Sequence, residues 1–208
     1  MGVNEYEKLD KAIQEATAGE RPVYVDDDGR FHEFGRVLTT PSYSAYIRIG
    51  EGCDNCCSYC AIPMIRGGYR SRPKSDILAE VCELFDTKYI HIGGDEVETS
   101  QWERCPDCQA LMTKMGYTSP NQLQAYFMRR LSDMLAQHGK LPAVWNEAID
   151  GGKLPASTLV FGWMGVKECR TAAAKGYKTI VMPGQYFYFD MKQSKREPGH
   201  DWAAIFDW

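Results

Sequence analysis

Residues 89–97 read "YIHIGGDEV", and this stretch decides the architecture. Tyr89 to Ile92 have the character of a short strand, Gly93 and Gly94 mark a tight turn, and two adjacent carboxylates, Asp95 and Glu96, follow at once. Downstream the chain alternates. "KYIHIG" is succeeded by the helical run "SPNQLQAYFMRRLSDMLAQHG", then by "PAVW", "TLVFG", "KECRTAAAKG" and "KTIVM". Strands separated by helices predict a parallel sheet, with Asp95 and Glu96 beyond the carboxyl end of one strand. The longest helix is well punctuated, with Ser119 as N-cap, Pro120 at the first position, Gln122 completing a capping box and Gly139 as the stop.

Upstream, "EYEKLDKAIQEATA" places Tyr6, Leu9, Ile13 and Ala16 on one helical face. "RPVYV", "DDDG" and "RFHEF" predict a small β-hairpin over residues 21–34, and "AYIRIG", residues 45–50, alternates as a strand would. Counting "AYIRIG", about five strands precede or alternate with helices, too few for a closed eight-stranded barrel. "SDILAEVCELF", residues 75–85, predicts the helix leading into "KYIHIG". The fold class is therefore α/β, a partial barrel of parallel strands preceded by a helix and a hairpin.

The 208 residues are 44% hydrophobic and 25% charged, a composition that allows one or two globular domains. A net charge of -4 gives no overall field for nucleic acid, although Arg66, Arg70, Arg72 and Lys74 cluster locally. No apolar run approaches the roughly eighteen residues of a membrane span, and the start shows no basic region followed by an apolar one, which predicts a cytoplasmic chain.

Eight cysteines then read better as metal ligands and buried thiols than as disulfides. Cys53, Cys57 and Cys60 form C-x3-C-x2-C, and three thiolates can hold three irons of a 4Fe-4S cluster while leaving the fourth open. Cys56 reads as an extra thiol. A zinc site shared with Cys105 and Cys108, or plain structural cysteines, is the bland alternative.

The run "TTPSYSAYIRIGEGCDNCCSYCAIPMIRGGYRSRP", with "RVLTTP" and "CAIP", resembles the radical S-adenosylmethionine methylthiotransferases, those acting on ribosomal protein S12 more than their tRNA-modifying relatives. This resemblance covers residues 1–81. It implies a 4Fe-4S cluster on Cys53, Cys57 and Cys60, S-adenosylmethionine at the open iron, and S12 as partner. The family's own N-terminal cluster domain and RNA-binding barrel have no room here.

Residues 82–208 resemble family-20 glycoside hydrolases, the beta-N-acetylhexosaminidases. The motifs "KYIHIGGDEVETSQW", "LQAYFMRRL", "AVWNEAIDGG", "FGWMG" and "MPGQYFYFDMKQ" occur in that family's order. The resemblance implies substrate-assisted removal of terminal N-acetylhexosamine without a cofactor, a known exception to the two-carboxylate scheme. It makes Glu96 the general acid/base and Asp95 the group that orients the acetamido N–H. Tyr188 would hydrogen-bond the acetamido oxygen, Trp145 and Trp163 would wall the sugar, and Asp190 would hold hydroxyls. Against this, the tryptophans could be core aromatics, and Asp190 and Glu147 solvated loop carboxylates. His91 reads as a packed histidine, and Cys105 with Cys108 as a loop variation.

The early-strand arginine and eighth-strand tryptophan of that family have no counterpart, Trp202 and Trp208 standing close behind the last strand. "GGDE" could alternatively be the Gly-Gly-Glu run with which radical enzymes meet the cofactor's amino group, but that leaves the later motifs unexplained. The reading that unites the halves is a chimera joined within "DILAEVCELF", impaired in both chemistries and prone to self-association through exposed sheet edges. The alternatives are an S12 or tRNA methylthiotransferase and a catalytically silent recombinant.

Overall fold

The protein is described from a computed structural model covering residues 1–25, 36–203 and 205. The chain divides into two compact units, Met1–Phe85 and Asp86–Trp208.

In the first unit a 3-10 turn, Tyr6–Lys8, runs into α1, Leu9–Thr17. The amphipathic face expected there is not covered, for Ile13 is 55% exposed. The predicted hairpin is not formed in its first arm: residues 21–25 are irregular, and its turn and second arm lie outside the described residues. "AYIRIG" is corrected as well. Only Gly50–Glu51 (β1) is strand, paired antiparallel with Arg70–Ser71 (β2), so residues 45–49 add no strand to a parallel sheet. Alternation supplies a face but not a neighbour, and Tyr46, at 84% exposed, has no core to enter. Short α2, Ile62–Arg66, and α3, Lys74–Leu84, complete the unit.

Charge pairs hold it. Buried Glu51 faces Arg66 at 2.7 Å, Arg48 at 3.5 Å and Arg70 at 3.8 Å. Glu80 pairs with Arg72 and Arg36. Burial alone would raise the Glu80 carboxyl, but the hydrogen bonds and charges of Arg72 and Arg36 hold it below the ordinary carboxylate range. The basic cluster at residues 66–72 is thus partnered by carboxylates within the unit, which weakens its field for phosphate.

The second unit carries a four-stranded parallel sheet in the order β3, Tyr89–His91; β4, Leu141–Trp145; β5, Leu159–Gly162; β6, Lys178–Val181. Two helices absent from the sequence reading, α4, Ser100–Arg104, and α5, Pro106–Met115, follow β3. Then comes α6, Pro120–Gln137, where Ser119 accepts from the Asn121 N–H and the capping box with Gln122 is complete. After a 3-10 turn, Asn146–Ile149, α7 spans Val166–Ala174 and α8 spans Gly184–Phe187.

Register sorts the two faces of this sheet. Val144 pairs with Val160, and both are 0% exposed in a core with Met128 of α6 and Ala172 of α7. The opposite face holds His91, Trp145 and Phe161, whose rings meet edge-on at 4.8–5.8 Å, and leaves Ile180 43% exposed. One face is a helix-covered core. The other carries aromatic rings and is partly open to solvent.

Candidate active site

Sequence fixes the turn after β3 through backbone demands. Gly93 and Gly94 have φ of +77° and +102°, and a Cβ on Gly94 would stand 2.8 Å from Ala148 Cβ and 2.9 Å from Met128 Cε. Trp145 N–H donates to Gly93 O at 3.1 Å, and the buried amide of Gln124 donates to Gly94 O at 2.8 Å. So α6 and β4 both grip the turn. Glu96, with φ of 47°, is the one non-glycine residue of positive φ among the described residues. That conformation costs about 1 kcal/mol or more, and such strain tends to gather at functional sites.

The turn aims Asp95 and Glu96 into a cavity of about 320 Å³ lined by Asp95, Glu96, Trp145, Trp163, Tyr188 and Trp202. Five of the six predicted hydrolase residues thus line one cavity. The sixth, Asp190, is exposed nearby, and its charge is felt at Tyr188. Burial raises the Tyr188 hydroxyl above its ordinary value, and the negative charges of Asp190, Asp95, Glu147 and Glu96 push it the same way. Tyr188 therefore stays a protonated donor. Its ring stacks on Trp163 at 6.4 Å and 14°, and Trp202 closes edge-on against Trp163 at 5.7 Å and Tyr188 at 5.6 Å.

Two residues at or beside the cavity were not assigned to it from the sequence. Trp202 returns because the chain folds back: His200 N–H donates to Asp190 O and Lys192 N–H to His200 O, both at 2.9 Å. The one local signal was Gly184, where a Cβ would stand 2.8 Å from the Trp202 ring. Glu147 is no free loop carboxylate. Its Oε1 accepts from the Glu96 N–H at 3.3 Å and its Oε2 from Trp163 Nε1 at 3.0 Å, so it ties the strained acid to the aromatic wall. Buried Asn146 accepts from the Trp163 N–H at 3.0 Å and fixes the ends of β4 and β5 together. Trp208 lies outside the described residues.

His91 is hydrogen-bonded, as expected, and meets the rings of Trp145 and Phe161, but it is exposed rather than packed in the core. Its Nδ1 accepts from the Gly93 N–H at 3.1 Å, and the rings around it desolvate the imidazole and push its pKa down, the Asp95 charge opposing.

The cysteine loop gives a different picture. Cys57 is exposed while Cys53 and Cys60 are half-buried, the Cys60 N–H turning back onto Cys57 O at 3.1 Å. Among the described residues no group of three or more His, Cys, Asp or Glu is gathered so as to hold a metal ion. Three thiols within eight residues are donors of the kind a 4Fe-4S cluster takes, although they are not gathered into one site here.

Comparison with known proteins bears on both units. The beta-hexosaminidase of Vibrio furnissii is 37% identical over 145 residues, 69% of this chain and 23% of that protein. A GH20 exo beta-N-acetylglucosaminidase structure from Vibrio harveyi, in complex with N-acetylglucosamine, is similar with a TM-score of 0.56 and 38% identity, covering 62% of this chain and 21% of that one. The ribosomal protein uS12 methylthiotransferase RimO of Clostridium botulinum is 53% identical over 86 residues, 40% of this chain and 19% of that protein. The two sets of relatives fall on separate segments, as in a chimera, and the chain spans about a quarter or less of their lengths. Among the described residues no helix is long and apolar enough to cross a membrane. Residues 71–208 match the catalytic domain of glycosyl hydrolase family 20, and by that match over more than half its length the chain belongs to this family.

Proposed function

We propose that residues 82–208 act on terminal N-acetylhexosamine glycosides by substrate-assisted hydrolysis, and that the two parental segments meet within α3. The supporting observation is the convergence of Asp95, Glu96, Trp145, Trp163 and Tyr188 on one cavity. The substrate's acetamido oxygen attacks the anomeric carbon as Glu96 protonates the departing glycosidic oxygen. Asp95 accepts from the acetamido N–H and stabilises the positive charge that develops, and Tyr188 donates to the acetamido oxygen. Trp145, Trp163 and Trp202 pack on the apolar side of the sugar and exclude water. Asp190, at the rim, holds hydroxyls. Glu147 acts only through its partners, by keeping Glu96 and Trp163 in place.

Turnover stays far below ordinary enzymatic rates, because four strands leave the sugar open on the side opposite the aromatic wall. The uncovered sheet face and the outer strands β3 and β6 favour self-association. The test is hydrolysis of a chromogenic N-acetylglucosaminide. Glu96→Gln is expected to lower kcat about 10²–10⁴-fold, and an unchanged rate in that variant would sink the assignment.

A second reading rests on the 53% identity to the S12 methylthiotransferase. Cys53, Cys57 and Cys60 are the proposed cluster ligands, with S-adenosylmethionine and ribosomal protein S12 as the partners that follow, in the cytoplasm. Anaerobic reconstitution is expected to load about four irons per chain, lost in Cys57→Ala. A colourless chain after reconstitution overturns it. Methylthiolation of S12 is not expected from this chain alone.

A further inference from the structure

Cys105 and Cys108 belong to neither chemistry above, yet they are built into a defined place. Cys105 ends α4, its N–H bound to Gln101 O at 3.0 Å, and is at the same time the N-cap of α5, with Pro106 at the first helical position. Cys108 is the third residue of that ten-residue helix. A residue at the N-cap and one three positions on lie on one side of the helix start, with Cα atoms about 5 Å apart by the rise and radius of a helix. That separation falls within what a disulfide spans, roughly 4.4–6.8 Å between Cα atoms. Both side chains are half-buried and reachable, whereas Cys82 and Cys169 are buried.

The two thiols are also unequal. The Cys108 backbone N–H and thiol act on the Cys105 sulfur by hydrogen bonding, hold its pKa below the ordinary thiol value, and are joined by the Asp107 N–H, while burial and the Asp107 charge oppose. Cys108, which hydrogen-bonds to Cys105, is pushed up. A thiol at a helix start, beside the positive end of the helix dipole, is the more reactive partner of a C-x-x-C pair.

We infer that Cys105 and Cys108 form a dithiol–disulfide exchange site for low-molecular-weight disulfides, Cys105 attacking and Cys108 resolving. The Cys105 thiolate attacks one sulfur of R–S–S–R, forming a mixed disulfide and expelling RS⁻, which takes a proton from water. Cys108 gives its proton to solvent and attacks Cys105 Sγ, forming the Cys105–Cys108 bond and expelling the second RS⁻. Two protein thiols are oxidised and one disulfide is reduced to two thiols. The site is independent of the hydrolase reading, since neither sulfur lines the sugar cavity.

The test uses the full chain carrying Cys53→Ser, Cys56→Ser, Cys57→Ser and Cys60→Ser, exposed to oxidised glutathione, quenched in acid, alkylated and mapped by mass spectrometry. An internal Cys105–Cys108 disulfide, reversed by dithiothreitol, is expected. Adding Cys108→Ser should trap glutathione on Cys105 about ten-fold faster than adding Cys105→Ser traps it on Cys108. Independent adducts on both thiols with no internal bond, or faster capture by Cys108, overturn the proposal. Phenylarsine oxide provides a check on the otherwise unmodified pair: one arsenical bound per chain, blocked by prior glutathione disulfide, supports it, and no binding refutes it.

Discussion

The chain is 53% identical to the Clostridium botulinum methylthiotransferase over 86 residues and 37% identical to the Vibrio furnissii beta-hexosaminidase over 145, yet the unit that carries the hydrolase motifs is better built than the unit that carries the cysteine loop. Among the described residues the first unit buries Asn4, Glu5, Glu51, Arg72 and Cys82, a mostly polar set, and leaves Val37, Tyr43, Tyr46, Tyr59 and Met64 more than 80% exposed. The second buries Leu135, Val144 and Val160 completely. High identity in a motif-rich loop preserves residues that carry chemistry. A core needs the elements on both sides of it, and burial of apolar surface is the dominant favourable contribution to folding. The second unit retains a sheet and the two helices that cover one face of it, which is a closed two-layer arrangement.

This contrast can be broken or sharpened. The largest effect is expected from Leu135→Ala, which should cost about 2–5 kcal/mol and lower the urea midpoint of the second unit. Tyr46→Ala in the first should stay within about 0.5 kcal/mol. Equal effects in a denaturation series would show that the first unit has a core after all. Next, Ser119→Ala removes the side-chain acceptor of the α6 capping box and should cost about 1 kcal/mol. Its measure is the same urea transition, and Ser119→Asp should restore it.

The smallest effect is a pH dependence of the first unit. The folded Glu80 carboxyl lies below its unfolded value, so its contribution is present above the unfolded pKa and is lost as pH falls through the folded one. Circular dichroism of the chain should show α3 loosening in that acid window, and Glu80→Gln should flatten the dependence. A window unchanged by Glu80→Gln would place the titration elsewhere.

Much of the second unit was legible because its signals are local. The capping box of α6 is four consecutive residues, and the strand-turn "IHIGGDE" has its glycines at 93 and 94, where φ is positive. Strand register was not legible there: "PAVW" and "TLVFG" do not alternate, and the sheet alone turns Val144 and Val160 toward the helices while Trp145 and Phe161 face away. "AYIRIG" has a clear alternation and still forms no strand before Gly50, because a strand requires a hydrogen-bonding neighbour that its own residues do not specify.

The order of motifs determined, without coordinates, which side chains could serve sugar chemistry and which family the second segment resembles. Only the tertiary structure decided what completes the cavity. Trp202 arrives through a fold-back held by Asp190, Lys192 and His200, and Gly184 leaves it room. Glu147 gains its role from Glu96, fifty-one residues away, and from Trp163. The same holds for the cysteine loop, where spacing supplies three thiols but only the path of the chain decides whether they meet. Local propensity and motif spacing act within a few residues, whereas these contacts depend on where distant strands end in space.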